Sequence, residues 1–206
     1  MNMKKPYVVG ISGGTCSGKS TLLNLLNEIF VKRYKTSVIN MDDYYNWSQM
    51  KTIAPITRIE YPEHNHPSAV DTEKLYKDIS NMVFNEDIDI VLIEGIFALY
   101  FDELRKMLNL KIFVDLKSDE RMCRRIKRMI DYESFDDITS RYLDTVRYRH
   151  DEFIEPTRWY ADIILNGTFD ANKGIPVIVS CIEASVKCLD ICLPTGCGLQ
   201  DFSCLY

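Results

Sequence analysis

Gly13-Gly-Thr-Cys-Ser-Gly-Lys-Ser20 decides the reading of this chain, because it fits the pattern G-x-x-x-x-G-K-[ST]. Ahead of it, Tyr7-Val-Val-Gly-Ile-Ser12 is a short apolar run that predicts a buried strand. Behind it, Leu22, Leu23, Leu26, Ile29 and Phe30 recur at three and four, which predicts a helix over about 19–34. Glycines between a strand and a helix let backbone N–H groups turn inward around phosphate oxygens with no Cβ in the way. The helix N-terminus adds partial positive charge, and Lys19 adds a full charge near the β- and γ-phosphates. Ser20 offers a hydroxyl to Mg²⁺, an ion that keeps several waters and takes few protein ligands. Gly13, Gly14, Thr15, Cys16, Ser17, Gly18, Lys19, Ser20 and Thr21 are therefore the candidate nucleotide-binding residues, with ATP and Mg²⁺ as expected ligands.

Outward from the cradle, Ser37–Met41, Ile88–Glu94, Leu110–Asp115 and Ala161–Leu165 read as further strands. Helices are predicted over about 72–84, 118–131, 136–152 and 175–193, with Asp71 or Thr72 as a cap for the first. Residues 44–70 are rich in Pro, His, Asn and aromatics without a clear period, as in a functional loop. The alternation predicts an α/β fold, a P-loop NTPase three-layer sandwich. About five parallel strands would carry helices on both faces and a helical lid at about 118–152. The whole of 1–206 is read as a single domain, with a C-terminal helix and tail at about 175–206.

The 206 residues hold 25 Lys+Arg against 30 Asp+Glu, net −5, which argues against a general nucleic-acid or anionic-membrane binder. No apolar run is long enough to span a bilayer, and the best, Ile90–Phe101, is interrupted by Glu94. A soluble, cytoplasmic protein is expected. The seven cysteines form no Cys-x-x-Cys pair, and their odd count fits no closed disulfide framework. They read as small apolar core residues in a reducing compartment, with Cys181, Cys188 and Cys192 on one helical face.

Ligands of open α/β sheets collect at the carboxyl ends of the strands. Asp42 and Asp43 fall there, and a carboxylate so placed can take the proton of an attacking hydroxyl. Glu94 ends an otherwise apolar strand, where an ionised carboxylate needs a partner such as Mg²⁺ or its water. Arg121, Arg124, Arg125, Lys127 and Arg128 crowd one helix, and two or three of these arginines are expected to meet the phosphates. Residues 121–149 carry eight basic and five acidic side chains, so a basic segment is set within an acidic chain. Asn172-Lys173-Gly174-Ile175 lacks the aspartate of a guanine-reading motif, which lowers a GTPase-switch reading.

Taken in order, the cradle, Asp42-Asp-Tyr-Tyr45, His66-Pro-Ser-Ala-Val-Asp71, Ile93-Glu-Gly-Ile-Phe-Ala-Leu-Tyr100 and Lys111-Ile-Phe-Val-Asp115 resemble the uridine kinase family. Arg121-Met-Cys-Arg-Arg125 and Pro156-Thr-Arg-Trp-Tyr-Ala-Asp162 continue the resemblance, which spans about residues 7–166. It implies ATP-dependent phosphorylation of a nucleoside 5′-hydroxyl, that of uridine or cytidine, in a small-molecule site with no nucleic-acid or membrane partner. Homo-oligomers are common in the family. The resemblance implies Asp42 as catalytic base, Tyr45, Asn65 and His66 at the nucleoside, and Lys19 and Ser20 on ATP and Mg²⁺. It places Glu94 in the metal shell and Arg124, Arg125 and Arg128 in a lid, Arg124 and Arg128 acting in transfer.

Three departures bear on the acceptor. Asn65 stands where the family has an aspartate on the ribose hydroxyls, and Glu63 is the nearby carboxylate expected to compensate. Residues 72–89 leave room for one helix and none for the family's base-reading hairpin. Tyr132-Glu-Ser-Phe135 replaces the usual Gly-flanked arginine pair of the lid. A kinase for another ribosyl or sugar compound is therefore the alternative enzyme reading, and a non-catalytic ATP-binding regulator the alternative class.

Overall fold

β1 (Tyr7–Gly13) is buried along its whole length and is the middle strand of a five-stranded sheet in the computed structural model. That structure describes residues 5–46, 50–84, 87–168 and 173–191. β1 pairs in parallel with β5 (Ile90–Glu94) and β6 (Leu110–Asp115). β2 (Thr36–Asn40) flanks β5, and β7 (Ile163–Asn166) flanks β6, so the order is β2-β5-β1-β6-β7, all parallel. The near-continuous apolar runs of β1 and β5 follow from that central place, because both faces are covered.

Side chains alternate across β1 and seed one core on each face. Val9 and Ile11 pack with Leu22, Leu26 and Phe30 of α1 (Lys19–Phe30), and with Ile178 and Ile182 of α7 (Gly174–Ile191). Val8 packs with Val91, Ile93 and Phe97, with Leu75 and Ile79 of α2 (Thr72–Val83), and with Leu104 of α3 (Asp102–Met107). Each fully buried Leu or Ile contributes about 1.5–3 kcal/mol, so this two-sided burial fixes the strand ends that carry the site. The expected α/β sandwich is the observed fold.

Several local expectations are corrected. Residues 44–70 are not one loop: β3 (Lys51–Ile53) and β4 (Glu60–Pro62) form an antiparallel hairpin, whose three-residue strands are too short to show a period. α1 ends at Phe30, four residues before the predicted end. After α4 (Ser118–Met129) and α5 (Phe135–Arg141), the predicted single helix is wound as π turns at Tyr142–Val146 and His150–Ile154 around α6 (Arg147–Arg149). Wide turns of that kind are rare and often accompany functional sites. Asp71 does cap α2, accepting the Lys74 amide at 3.0 Å.

The cysteines among the described residues do not fill the core. α7 buries Ile175, Ile178, Ile182 and Val186, and this spacing leaves Cys181 and Cys188 on the exposed side. Cys123 is exposed as well, while Cys192, Cys197 and Cys204 lie outside the described residues.

Candidate active site

The end of β1 leads into a turn whose backbone only glycine tolerates in places. Gly13 has φ +143°, and a Cβ there would stand 2.3 Å from the Val114 carbonyl oxygen. Cys16 is left-handed at φ 59°, and Gly18 has φ 110° just before α1. No side chain caps the α1 N-terminus and no acid sits in its first turn, so its amide groups stay available to an anion. Lys19 is buried against this turn, its Nζ donating to the Gly14 carbonyl at 3.1 Å. Burial lowers its pKa, while the Glu94 and Asp42 carboxylates offset part of that effect.

Glu94 closes β5 and is buried at 3% exposure, yet it is not unpaired: Ser20 Oγ donates to its Oε1 at 2.8 Å. A hydroxyl and a carboxylate side by side are the hard oxygen donors that suit Mg²⁺. Among the described residues no cluster of three or more His, Cys, Asp or Glu forms a denser metal site. Asp42 stands in the 3₁₀ turn Met41–Tyr44, which Asn40 caps by accepting the Asp42 amide at 3.0 Å. Its neighbours divide. Tyr44 turns away to donate to Asp78 at 3.0 Å, and Tyr45 faces the cleft as a buried wall.

These groups line one cleft of about 560 Å³. The cradle contributes Thr15, Cys16, Gly18, Lys19, Ser20 and Thr21, and Gly13, Gly14 and Ser17 are not part of the lining. Asp42, Tyr45, Asn65 and Glu94 join them, as do Arg124, Arg125 and Arg128 of α4. Arg124 is partly occupied: it donates to the Gly167 carbonyl at 2.9 Å and reaches the Ser17 carbonyl at 3.4 Å. Arg125 touches Thr15 Oγ1 at 3.5 Å. Arg121, from the same run, is buried beneath the cradle and donates to the Leu116 carbonyl at 3.0 Å. Three arginines of α4 therefore face the cleft, in line with the two or three expected from that basic run.

Two expectations fail. His66 does not line the cleft; it caps the 3₁₀ turn Pro67–Ala69 and packs edge-on against Phe153 at 4.8 Å. Glu63 does not stand in for the missing aspartate, because its carboxylate is buried and already held by Arg149 and the Asn65 amide. Conversely, Pro62, His64, Ile96, Met129 and Arg141 line the cleft without having been read from the sequence. Arg141 lies one turn beyond buried Ile138 and beside buried Tyr142, a spacing that borders the packed face, and it pairs with Glu133 at 2.9 Å.

His150 does not line the cleft but is buried close enough to it for the charges of Arg121 and Lys19 to act on its ring. Burial first, then the charges of Arg121 and Lys19, push its pKa down to about 3, and the neutral ring donates to Glu155 at 3.2 Å. The unfolded chain, with a histidine near 6.5, binds more protons than the folded one between those values. Stability should therefore fall as pH drops below about 6.5, by up to about 1.4 kcal/mol per unit from this residue. Denaturant titrations at pH 7 and pH 5 check this, with His150→Gln expected to lose that part of the slope and equal slopes contradicting it.

A family model described as "Phosphoribulokinase / Uridine kinase family" matches residues 39–171. The match begins beyond the cradle, so the two observations are independent. A protein named uridine kinase from Clostridium novyi is 35% identical, covering 88% of this chain and 97% of that protein. Uridine kinases from Lactococcus lactis subsp. lactis and Chlamydia pneumoniae are 30% and 33% identical, covering 88% and 91% of this chain and 98% and 91% of theirs. Among solved structures, one described as a candidate fructose transport system kinase from Silicibacter sp. TM1040 superposes with a TM-score of 0.64. It is 18% identical, covers 79% of this chain and 91% of its own, and supports the fold alone.

Proposed function

Because the chain belongs to the phosphoribulokinase/uridine kinase family and is a phosphotransferase, we propose that it phosphorylates a nucleoside, uridine or cytidine, at the 5′-hydroxyl. The observation that carries this reading is one cleft holding a carboxylate at a strand end, Asp42, together with Lys19 and the Ser20–Glu94 pair. Asp42 accepts the proton of the nucleoside hydroxyl, whose oxygen bonds to the γ-phosphorus of ATP as the bond to the β–γ bridging oxygen breaks. ADP leaves with that oxygen. Lys19, the α1 amides, Arg124 and Arg128 meet the charge that spreads over the transferred phosphoryl, and Arg125 holds the nucleotide. Ser20 and Glu94 would hold Mg²⁺, which when bound neutralises phosphate charge. Tyr45 and Asn65 form the acceptor wall. The same reading treats 1–206 as one kinase domain, acting in the cytoplasm in the salvage of pyrimidine nucleosides. Among the described residues no helix is long and apolar enough to cross a membrane.

A second acceptor class, another ribosyl or sugar compound, is favoured by Asn65, an amide that accepts from a diol less strongly than a carboxylate. A thermal-shift panel with a non-hydrolysable ATP analogue separates the two. Uridine or cytidine at about 100 times Kd should stabilise the protein by about 2.7 kcal/mol. A shift with free sugars and none with any nucleoside would overturn the nucleoside assignment.

A further inference from the structure

Glu63 lies two residues before Asn65 of the acceptor wall, and it does not line the cleft. Its carboxylate is 3% exposed, with Oε1 accepting the Asn65 amide at 2.8 Å and Oε2 accepting Arg149 Nε at 2.9 Å. Arg149 in turn donates to Thr52 Oγ1 of β3 at 3.2 Å and to Glu152 at 2.8 Å. One turn earlier on the same helical stretch, Asp144 accepts from Thr57 at 2.7 Å and from Tyr61 of β4 at 2.9 Å. The stretch that carries cleft-lining Arg141 therefore grips the hairpin whose exit carries cleft-lining His64 and Asn65.

We propose that Glu63 and Arg149 are positioning residues for the acceptor: the buried pair fixes the backbone at Asn65 and locks that wall to the helical stretch bearing Arg141. The proposal rests on the kinase reading of the cleft. A carboxylate that bonds a backbone amide two residues ahead sets the direction in which the next side chains leave the chain. Asn65 and His64 are those side chains. A carboxylate buried this deeply also needs its cation, since removing one partner leaves the other charge uncompensated. The pair consequently transmits any displacement of the helical stretch to the acceptor wall without touching the phosphate cradle.

Glu63→Gln keeps an oxygen for the Asn65 amide and removes the charge facing Arg149. Misplacement of a substrate-positioning group by about 1 Å costs up to about 100-fold. The expected result is a rise in acceptor KM of about 10-fold or more, with the KM for ATP unchanged within about twofold. Arg149→Met should do the same, and the double variant should be no worse than either alone, because the two act as one unit. Equal shifts in both KM values, additive losses, or unchanged acceptor KM would overturn the proposal. If the single variants fail to fold, the double variant, which buries no unpaired charge, supplies the comparison. If the wild-type protein phosphorylates no acceptor, it is the kinase reading that fails, and amide hydrogen exchange decides the positioning role by itself. Faster exchange at residues 63–66 in Glu63→Gln, with the cradle unchanged, supports it; unchanged exchange there contradicts it.

Discussion

Asp42→Asn should lower turnover by about 10²–10⁴-fold while leaving ATP affinity within about twofold, the range expected when a general base is removed. The substitution is isosteric, and the turn that holds residue 42 is kept by its backbone amide bonded to Asn40 rather than by its side chain. Asp42 lies in the turn that follows β2 and lines the cleft from outside the cradle, so its loss is expected to reach the proton far more than the nucleotide. Steady-state kinetics with saturating acceptor, paired with titration of a fluorescent ATP analogue, measures both quantities. A matched fall in turnover and in ATP affinity would mean that Asp42 holds the fold of the site and not the proton.

Lys19→Met should cost roughly 10²–10³ in kcat/KM for ATP, the loss that follows removal of one preorganised donor to developing charge. Here nucleotide affinity should fall as well, because the ammonium is the full positive charge within the turn. Folding is expected to survive: burial penalises this charge, so an apolar chain of similar length relieves a cost even as the bond to Gly14 is lost. The melting temperature of the ligand-free variant is expected to equal or exceed that of the wild type. Turnover within a few-fold of wild type would remove Lys19 from the transfer step.

The centre of the sheet was legible because β1 and β5 are buried along their whole length and spell themselves as apolar runs, and the cradle was legible because its glycines answer to backbone angles. Gly13 and Gly18 have the positive φ that the pattern implies, and Cys16 shares it. The basic run pointed to two or three arginines, and the family resemblance singled out Arg124, Arg125 and Arg128, which share one cleft. The acceptor side was harder to read because long-range pairing decides it. Glu63 looks like a substrate ligand in one dimension and becomes a buried anchor only when Arg149, 86 residues later, folds onto it. His66 sits in a motif-like stretch, yet its ring is taken by Ser68 two residues on and by Phe153 from the far helical stretch. Arg141 carried a faint signal, its position beside Ile138 and Tyr142 on a packed helix face. The exposed cysteines of α7 show the same limit, since apolar spacing identifies a face without saying which residues at its border are covered.

The most direct measurement is phosphorus NMR of the purified protein with ATP, Mg²⁺ and uridine. The expected result is a uridine 5′-monophosphate signal growing in step with ADP, one for one, and absent in Asp42→Asn. ADP formed with inorganic phosphate alone, or phosphate appearing on a sugar and on no nucleoside, would contradict nucleoside 5′-phosphorylation as the function of this cleft.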